Sequence, residues 1–181
     1  MQIRLSDIGL RRVESKDAEA LYAFKNDPEI TALLGGFSVG YSTREISAWI
    51  NRHQETSDDI VWTITALQSD QCIGHVGLYR IDHRIRSAEF AILVGDKERW
   101  GRGLGCRITH AVLQYAFDEL NLNRVSLSVL ESNRRAQALY RRLGFQVEGC
   151  MRQAQYKGGR YVDIIVMGLL AEEFDAQAQA R

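Results

Sequence analysis

The sequence predicts a single mixed α/β (α+β) domain, and three observations predict it. Residues 61–95 carry three consecutive runs with the period-two pattern of strands. A strand-like run, the glycine loop ERWGRGLGCR (98–107) and an amphipathic helical stripe then follow one another. Finally, FQVEGCMRQAQY and RYVDIIVMGLL close around KGGR as a hairpin.

The elements follow in chain order. Gly9 to Glu14 reads as a short strand. Ser15 is placed to cap a helix in which Ala18, Leu21, Tyr22 and Phe24 or Lys25 form the apolar stripe. Pro28 sits in a loop, NDPE, and LLGGFSVGY is glycine-rich and irregular. Ser42 and Glu45 form a capping box that opens a second helix carrying Ile46, Trp49 and Ile50. VWTITALQ, CIGHVGLYRI and RSAEFAILVG are strands; in the last, Phe90, Ile92 and Val94 share one face and Ser87, Glu89, Ala91 and Leu93 the other. A helix runs from about Gly105 to Leu120, with Ile108, Ala111, Val112, Tyr115 and Ala116 on its apolar stripe. VSLSVL is a strand, and Asn133 caps a helix that Gly144 ends. With the closing hairpin this makes about seven strands and four helices, without regular βαβ alternation. Residues 1–175 form the one domain and AQAQAR, 176–181, a frayed tail.

Lys+Arg and Asp+Glu number 23 each, so formal net charge is zero, which excludes a strongly basic nucleic-acid binder. The Arg134, Arg135, Arg141 and Arg142 cluster reads as a solvated helix face. MQIRLSDIGL lacks the apolar core of a signal peptide, and Ile164 to Ala171 is too short to span a bilayer. Cys72, Cys106 and Cys150 are odd in number and scattered, and the four histidines show no paired spacing. The expectation is a reduced, cytoplasmic protein with no metal and no membrane partner.

The glycine loop needs a chemical reason. The first amides of a helix have no internal acceptor, and the helix dipole adds positive potential there. Glycine lets phosphate oxygens come close. A diphosphate would rest on the amides of Arg102, Gly103, Leu104, Gly105 and Cys106, with Arg102 and Arg107 adding charge. A P-loop would place Lys and Ser or Thr after the last glycine, where Cys106 and Arg107 stand. A dinucleotide fold would need GxGxxG and a later acid at the right offset, and the spacing here is GxGxG. Taken alone, GxGxG is explained equally well by a structural turn.

In context, SAEFAILVGDKERWGRGLGCRITHAVLQYAF followed by NRRAQALYRRLGF resembles the GCN5-related N-acetyltransferase (GNAT) superfamily, in the branch of the spermidine and ribosomal-protein alanine acetyltransferases. Trp100 departs from the pattern by standing where the family usually has Gln or Arg. The resemblance implies a twisted, mixed but mostly antiparallel sheet splayed between its fourth and fifth strands, with acetyl-CoA as co-substrate. It places the pantetheine arm along the backbone of Leu93 and Val94 and the pyrophosphate on Trp100, Gly101 and the loop as far as Cys106. It also gives Asn133 a contact to the arm, and counts Gly95 and Ala136 with the cofactor-binding set.

The reaction implied is attack of a neutral amine on the acetyl thioester. Tyr140 matches the family tyrosine that serves the leaving sulfur, and a phenol of pKa about 10 is protonated at neutral pH. The bland alternative is a core tyrosine beside Leu139 and Leu143. The Leu93 or Val94 amide is the candidate oxyanion donor. Glu89, the acid on the strand leading into the gap, is the candidate base, against an equal case for an ion pair. Cys106 at a helix N-terminus makes an acyl-enzyme conceivable, but it lies on the pyrophosphate side.

The N-terminal helices and GGFSVGY, as in the family, cover the acceptor. Residues 35–50 hold only Glu45 as an acid, with Phe37, Tyr41 and Trp49 beside it, which weakens a polyamine reading. The acceptor is a small-molecule or peptide amine: a protein N-terminus, an amino sugar or an amine drug. The rivals are a non-catalytic acyl-CoA-binding module and a ribosome- or RNA-associated factor, and the chain is expected to be a monomer or homodimer.

Overall fold

A computed structural model describes residues 3–36 and 40–174. One eight-stranded sheet organises them: β1 (Ile3–Leu5), β2 (Ile8–Arg12), β3 (Ile60–Ala66), β4 (Cys72–Asp82), β5 (Ser87–Val94), β6 (Arg124–Leu130), β7 (Gln146–Lys157) and β8 (Arg160–Leu170). Their spatial order is β1-β2-β3-β4-β5-β6-β8-β7. The helices are α1 (Ala18–Asn26), α2 (Pro28–Ala32), α3 (Thr43–Glu55), α4 (Leu104–Gln114) and α5 (Arg134–Arg142).

The β5–β6 pair is parallel, and every other neighbouring pair is antiparallel. It is also short: Ser87, Ala88 and Glu89 face Arg124, Val125 and Ser126, and the ladder ends there. β5 stays on β4 as far as Val94, while β6 stays on β8 as far as Leu130. Each strand follows its other neighbour, so the sheet opens into a V beyond Glu89 and Ser126. These are the fourth and fifth strands of the sequence reading, now β5 and β6.

Alternation along the strands sorts side chains to two faces. Val76, Leu78, Phe90 and Leu127 join Ile108 and Val112 of α4 and Tyr140 of α5 in the larger core. On the opposite face Val13, Leu21, Ile46, Ile50 and Cys72 make a second core under α1 and α3, with Phe24 and Trp49 packed against it. The hairpin between β7 and β8 turns at Gly158 and Gly159, whose φ values of 55° and 81° are those a two-residue turn requires.

Four elements differ from expectation. The three-residue β1 went unforeseen, being too short for a periodic signal. Pro28 opens α2 instead of lying in a loop: it has no N–H to waste at a first helical position, and the Asp27 carboxylate accepts from the Glu29 and Ile30 amides. Ser15 begins a 3₁₀ turn capped by Glu14, and α1 starts only at Ala18. The helix expected to Leu120 is α-helical to Gln114, then widens to a π turn over Tyr115–Glu119 with the Leu120 amide bonded to the Tyr115 carbonyl at 3.2 Å. The tail expected at 176–181 lies outside the described residues.

One buried ion pair sets where α1 sits. The Asp17 carboxylate, 2% exposed, accepts from Arg11 Nη2 at 2.7 Å, Arg11 Nη1 at 2.9 Å, Thr63 Oγ1 at 2.7 Å and the Glu14 amide at 2.9 Å. Burial raises its pKa, but the Arg11 guanidinium, Thr63 and the Glu14 amide outweigh it and hold the carboxyl below its ordinary value. A depressed folded-state pKa stabilises above the unfolded value, and that stability is lost as pH falls through the folded one. Asp17→Asn leaves Arg11 with Asp70, 2.8 Å from its Nε, as its remaining close carboxylate, and should cost roughly 1 to 3 kcal/mol in urea unfolding at pH 7. The gap between variant and parent should narrow in acid.

Candidate active site

The glycine loop delivers the bare backbone that the sequence promised. Gly103 caps α4 in the left-handed region at φ 75°, and nothing lies within 4 Å of where a Cβ on it would stand. The first bond of the helix runs from the Arg107 amide to the Gly103 carbonyl at 3.1 Å. The amides of Leu104, Gly105 and Cys106 therefore precede any i−4 acceptor and point out of the helix end. Arg102 is exposed and has no ion-pair partner among the described residues. The Arg107 guanidinium bonds Asp7 Oδ1 at 2.8 Å and Ser6 Oγ at 2.9 Å, tying α4 to the β1–β2 turn. Both bonds come from Nη1, so the Nη2 and Nε donors of this exposed side chain remain.

Arg135 also stands beside the loop. It sits on the first turn of α5, its guanidinium 5.9 Å from the Trp100 ring centre and Nη2 4.0 Å from the Cβ position of Gly101. All four arginines of the α5 cluster are exposed, and within that solvated face their contacts differ. Arg134 pairs with Glu131, Arg141 donates to Gln137 at 3.2 Å, and Arg135 leans over the glycine loop. Sequence reasoning saw the cluster and could not see which member crosses to the loop.

The wall of the V is the β5 backbone. The Leu93 carbonyl lies 2.2 Å from where a Cβ on Gly74 would stand, so Leu93 faces β4. Alternation then turns the Val94 backbone toward the gap. The Trp100 indole N–H donates to the Val94 carbonyl at 2.9 Å. Of the two residues expected to line the gap, Leu93 is thus spent on the sheet, and Val94 keeps its N–H. The Gly95 amide donates to the Ile73 carbonyl at 2.8 Å, and the Phe24 ring covers its Cα so closely that a Cβ would lie 2.2 Å from the ring.

α5 forms the other wall. Asn133 Oδ1 accepts from the Ala136 amide at 3.1 Å, and Nδ2 donates to the Leu33 carbonyl at 3.2 Å. One N–H of that amide remains, whereas the Ala136 amide is taken. Tyr140 lies edge-on to Phe90, the first β5 residue beyond the ladder, and to Phe145, with ring centres 6.3 and 5.7 Å away. It is 8% exposed, and its hydroxyl makes no hydrogen bond among the described residues. Burial pushes the phenol up to about 12. Glu89 closes the apex of the V in an ion pair with Arg80, a residue held at φ 51°. Cys106 packs partly against the larger core.

The described residues that flank positions 37–39 are tied to neighbouring elements. Leu33 bonds Asn133, the Gly36 amide donates to Gln155 Oε1 at 3.0 Å, and Lys157 Nζ reaches the Thr31 carbonyl at 3.2 Å. Beyond those positions Asn26 fixes Tyr41, accepting from its amide at 2.7 Å and donating to its carbonyl at 3.0 Å. Phe37, expected to line this side, lies outside the described residues.

Taken together, an opened parallel pair, an uncapped helix end at its mouth and a buried phenol on the opposite wall describe an acyl-CoA-dependent acetyltransferase. The chain belongs to the acetyltransferase (GNAT) family, whose domain it matches over residues 7–146. It is similar to an uncharacterized N-acetyltransferase p20 of Bacillus licheniformis, at 29% identity over 91% of this chain and 93% of the relative. It is similar also to the spermidine N(1)-acetyltransferase of Vibrio cholerae, at 29% identity over 93% of this chain and 96% of that one. The crystal structure of spermidine N-acetyltransferase from V. cholerae in complex with CoA and spermine superposes with a TM-score of 0.86 at 28% identity, covering 94% and 99% of the two chains. The protein is an acetyl-CoA-dependent N-acetyltransferase.

Because the Cβ position of Gly103 is open, Gly103→Ala carries only the left-handed backbone cost, roughly 1 to 2 kcal/mol. Titration calorimetry should show acetyl-CoA binding weakened by about tenfold, with tryptophan fluorescence and fold unchanged.

Proposed function

We propose that the chain acetylates a primary amine by direct attack within the V between β5 and β6, with Tyr140 as the proton donor to the departing sulfur. The observation that carries this reading is Tyr140: its ring is buried against Phe90 where the strands part, and its hydroxyl has no hydrogen-bond partner among the described residues. A hydroxyl held by a buried ring and not engaged by the protein is available to donate to a ligand atom.

Acetyl-CoA supplies the acetyl thioester. The amides of Leu104, Gly105 and Cys106, with the Arg102 and Arg135 guanidinium groups, hold its pyrophosphate. The remaining Asn133 N–H and the Val94 backbone hold the arm, and the Val94 N–H faces the oxygen on which negative charge grows. As the new C–N bond forms and the C–S bond breaks, Tyr140 passes its proton to sulfur and later recovers one from solvent. A phenol held near 12 stays protonated through the neutral range, so it acts as donor and not as base. The amine's own proton leaves by Glu89 through water, and Glu89 must first loosen its pair with Arg80.

Similarity to the spermidine enzymes supports a small amine as acceptor. Tyr140→Phe keeps the rings packed and removes only the hydroxyl, so kcat should fall by at least about tenfold with acetyl-CoA affinity nearly constant. Near-normal turnover in that variant would remove Tyr140 from the chemistry. Glu89→Gln should flatten the rise of kcat/KM with pH, and an unchanged profile would return Glu89 to a structural ion pair.

A further inference from the structure

The acceptor side of the V has an unusual electrostatic character. Lys25, near the end of α1, holds its ammonium 4.5 Å from the Trp49 ring centre and 5.4 Å from that of Tyr41. Trp49 in turn packs on His75, with ring centres 5.0 Å apart, and His75 is the cross-strand neighbour of Leu93 in β5. Tyr41 is held to Asn26 at the end of α1. Lys25 therefore stands where an acceptor would pass from solvent toward the strands.

Among the described residues Lys25 has no carboxylate within ion-pair distance. The acids around the mouth are already engaged. Asp27 and Glu29 pair with Lys97 at 2.8 and 2.7 Å, and Glu45 accepts from the Ser42 hydroxyl and amide at 2.7 Å. Asp59 accepts from the Arg80 amide at 2.8 Å and faces His53 Nε2 at 3.4 Å. The titratable groups that face Lys25 are Arg52 and His53 of α3 and His75 of β4, all of them bases. His75 is fully enclosed, with neither ring nitrogen hydrogen-bonded, and burial holds it neutral. Burial, then the Arg52 charge, brings the Lys25 ammonium down to about 8, so it is still mostly charged at pH 7.

An aromatic box filled by the protein's own ammonium is closed to a second alkylammonium and repels it. The same half-buried cation lacks an anion, and a bound carboxylate would supply one. We propose that Lys25 is the specificity residue of the acceptor site, selecting an amine that carries a carboxylate, with a free α-amino acid as the smallest example, over a polyamine. The proposal rests on the acetyl-transfer reading above and deepens it by naming the acceptor class.

The test is thiol release from acetyl-CoA with three acceptors: an α-amino acid, its carboxamide, and spermidine. The wild-type enzyme should prefer the acid to the amide by about tenfold or more in kcat/KM, the scale of one charge-assisted contact, and should prefer it to spermidine as well. Lys25→Met should bring the acid-to-amide ratio to about one, and Lys25→Arg, which keeps the charge, should preserve it. The ratio should also fall as pH rises through about 8, where the ammonium loses its proton. A wild-type ratio near one, a ratio that survives Lys25→Met, or spermidine as the better acceptor overturns the proposal and leaves acetyl transfer standing. No thiol release with any of the three, in protein that binds acetyl-CoA, overturns both.

Discussion

The structure depends on three residue pairs where a sheet would ordinarily have seven or eight. β5 and β6 agree from Ser87 to Glu89 and then separate, each held to its length by its outer neighbour. An opening inside a sheet exposes backbone groups that elsewhere would be paired, and such groups must find partners. The Val94 carbonyl finds the Trp100 indole, and the rest of the edge awaits an added strand. Beside the point of separation Tyr140 meets Phe90 and Phe145 edge to edge within the larger core. That packing fixes α5 against the β5 strand where the pairing ends.

Charge is divided across this opening although the chain is neutral as a whole. At the mouth by α4, helix amides and two unpaired guanidinium groups face outward. Across the sheet, the Lys25 ammonium stands over Trp49 with Arg52 near enough to repel it, while Asp27 and Glu29 bind Lys97 and Glu45 caps α3. Balanced totals of acid and base say nothing about such a division, because structural carboxylates count in the total and cancel nothing at the site.

Legibility in the sequence followed the range of the interaction. The β3 to β5 strands, the Ser42–Glu45 capping box, the Asn133 cap and the Gly158–Gly159 turn all rest on contacts within a few residues, and each was foreseen. So was the separation of Phe90 from Leu93 by strand alternation. Long-range placement was not readable. Arg107 and Arg135 look alike as sequence, yet one is drawn to Asp7 across about a hundred positions of chain and the other leans on Trp100. Leu93 and Val94 are adjacent apolar strand residues, and only the position of Gly74 on the neighbouring strand decides which faces the gap. The Lys25 site needed α1, α3 and the stretch before α3 to be brought together, and no spacing rule covers three elements.

Trp100 shows how a departure from a family pattern is absorbed. A Gln or Arg at that place could reach outward, but an indole has one donor and a large apolar body. Here the donor is turned inward to Val94, and the ring becomes a surface for Arg135. The side chain braces the loop against the end of β5. A loop held in this way has less freedom to lose when a ligand binds. Phe24 braces the same strand end from the other face, its ring flat on Gly95, and Lys97 ties the start of the loop to α2 through Asp27 and Glu29. The glycine loop, α1 and α2 therefore all meet at the tip of β5, and the position of the loop relative to those helices is set by the same few contacts that hold the strand end.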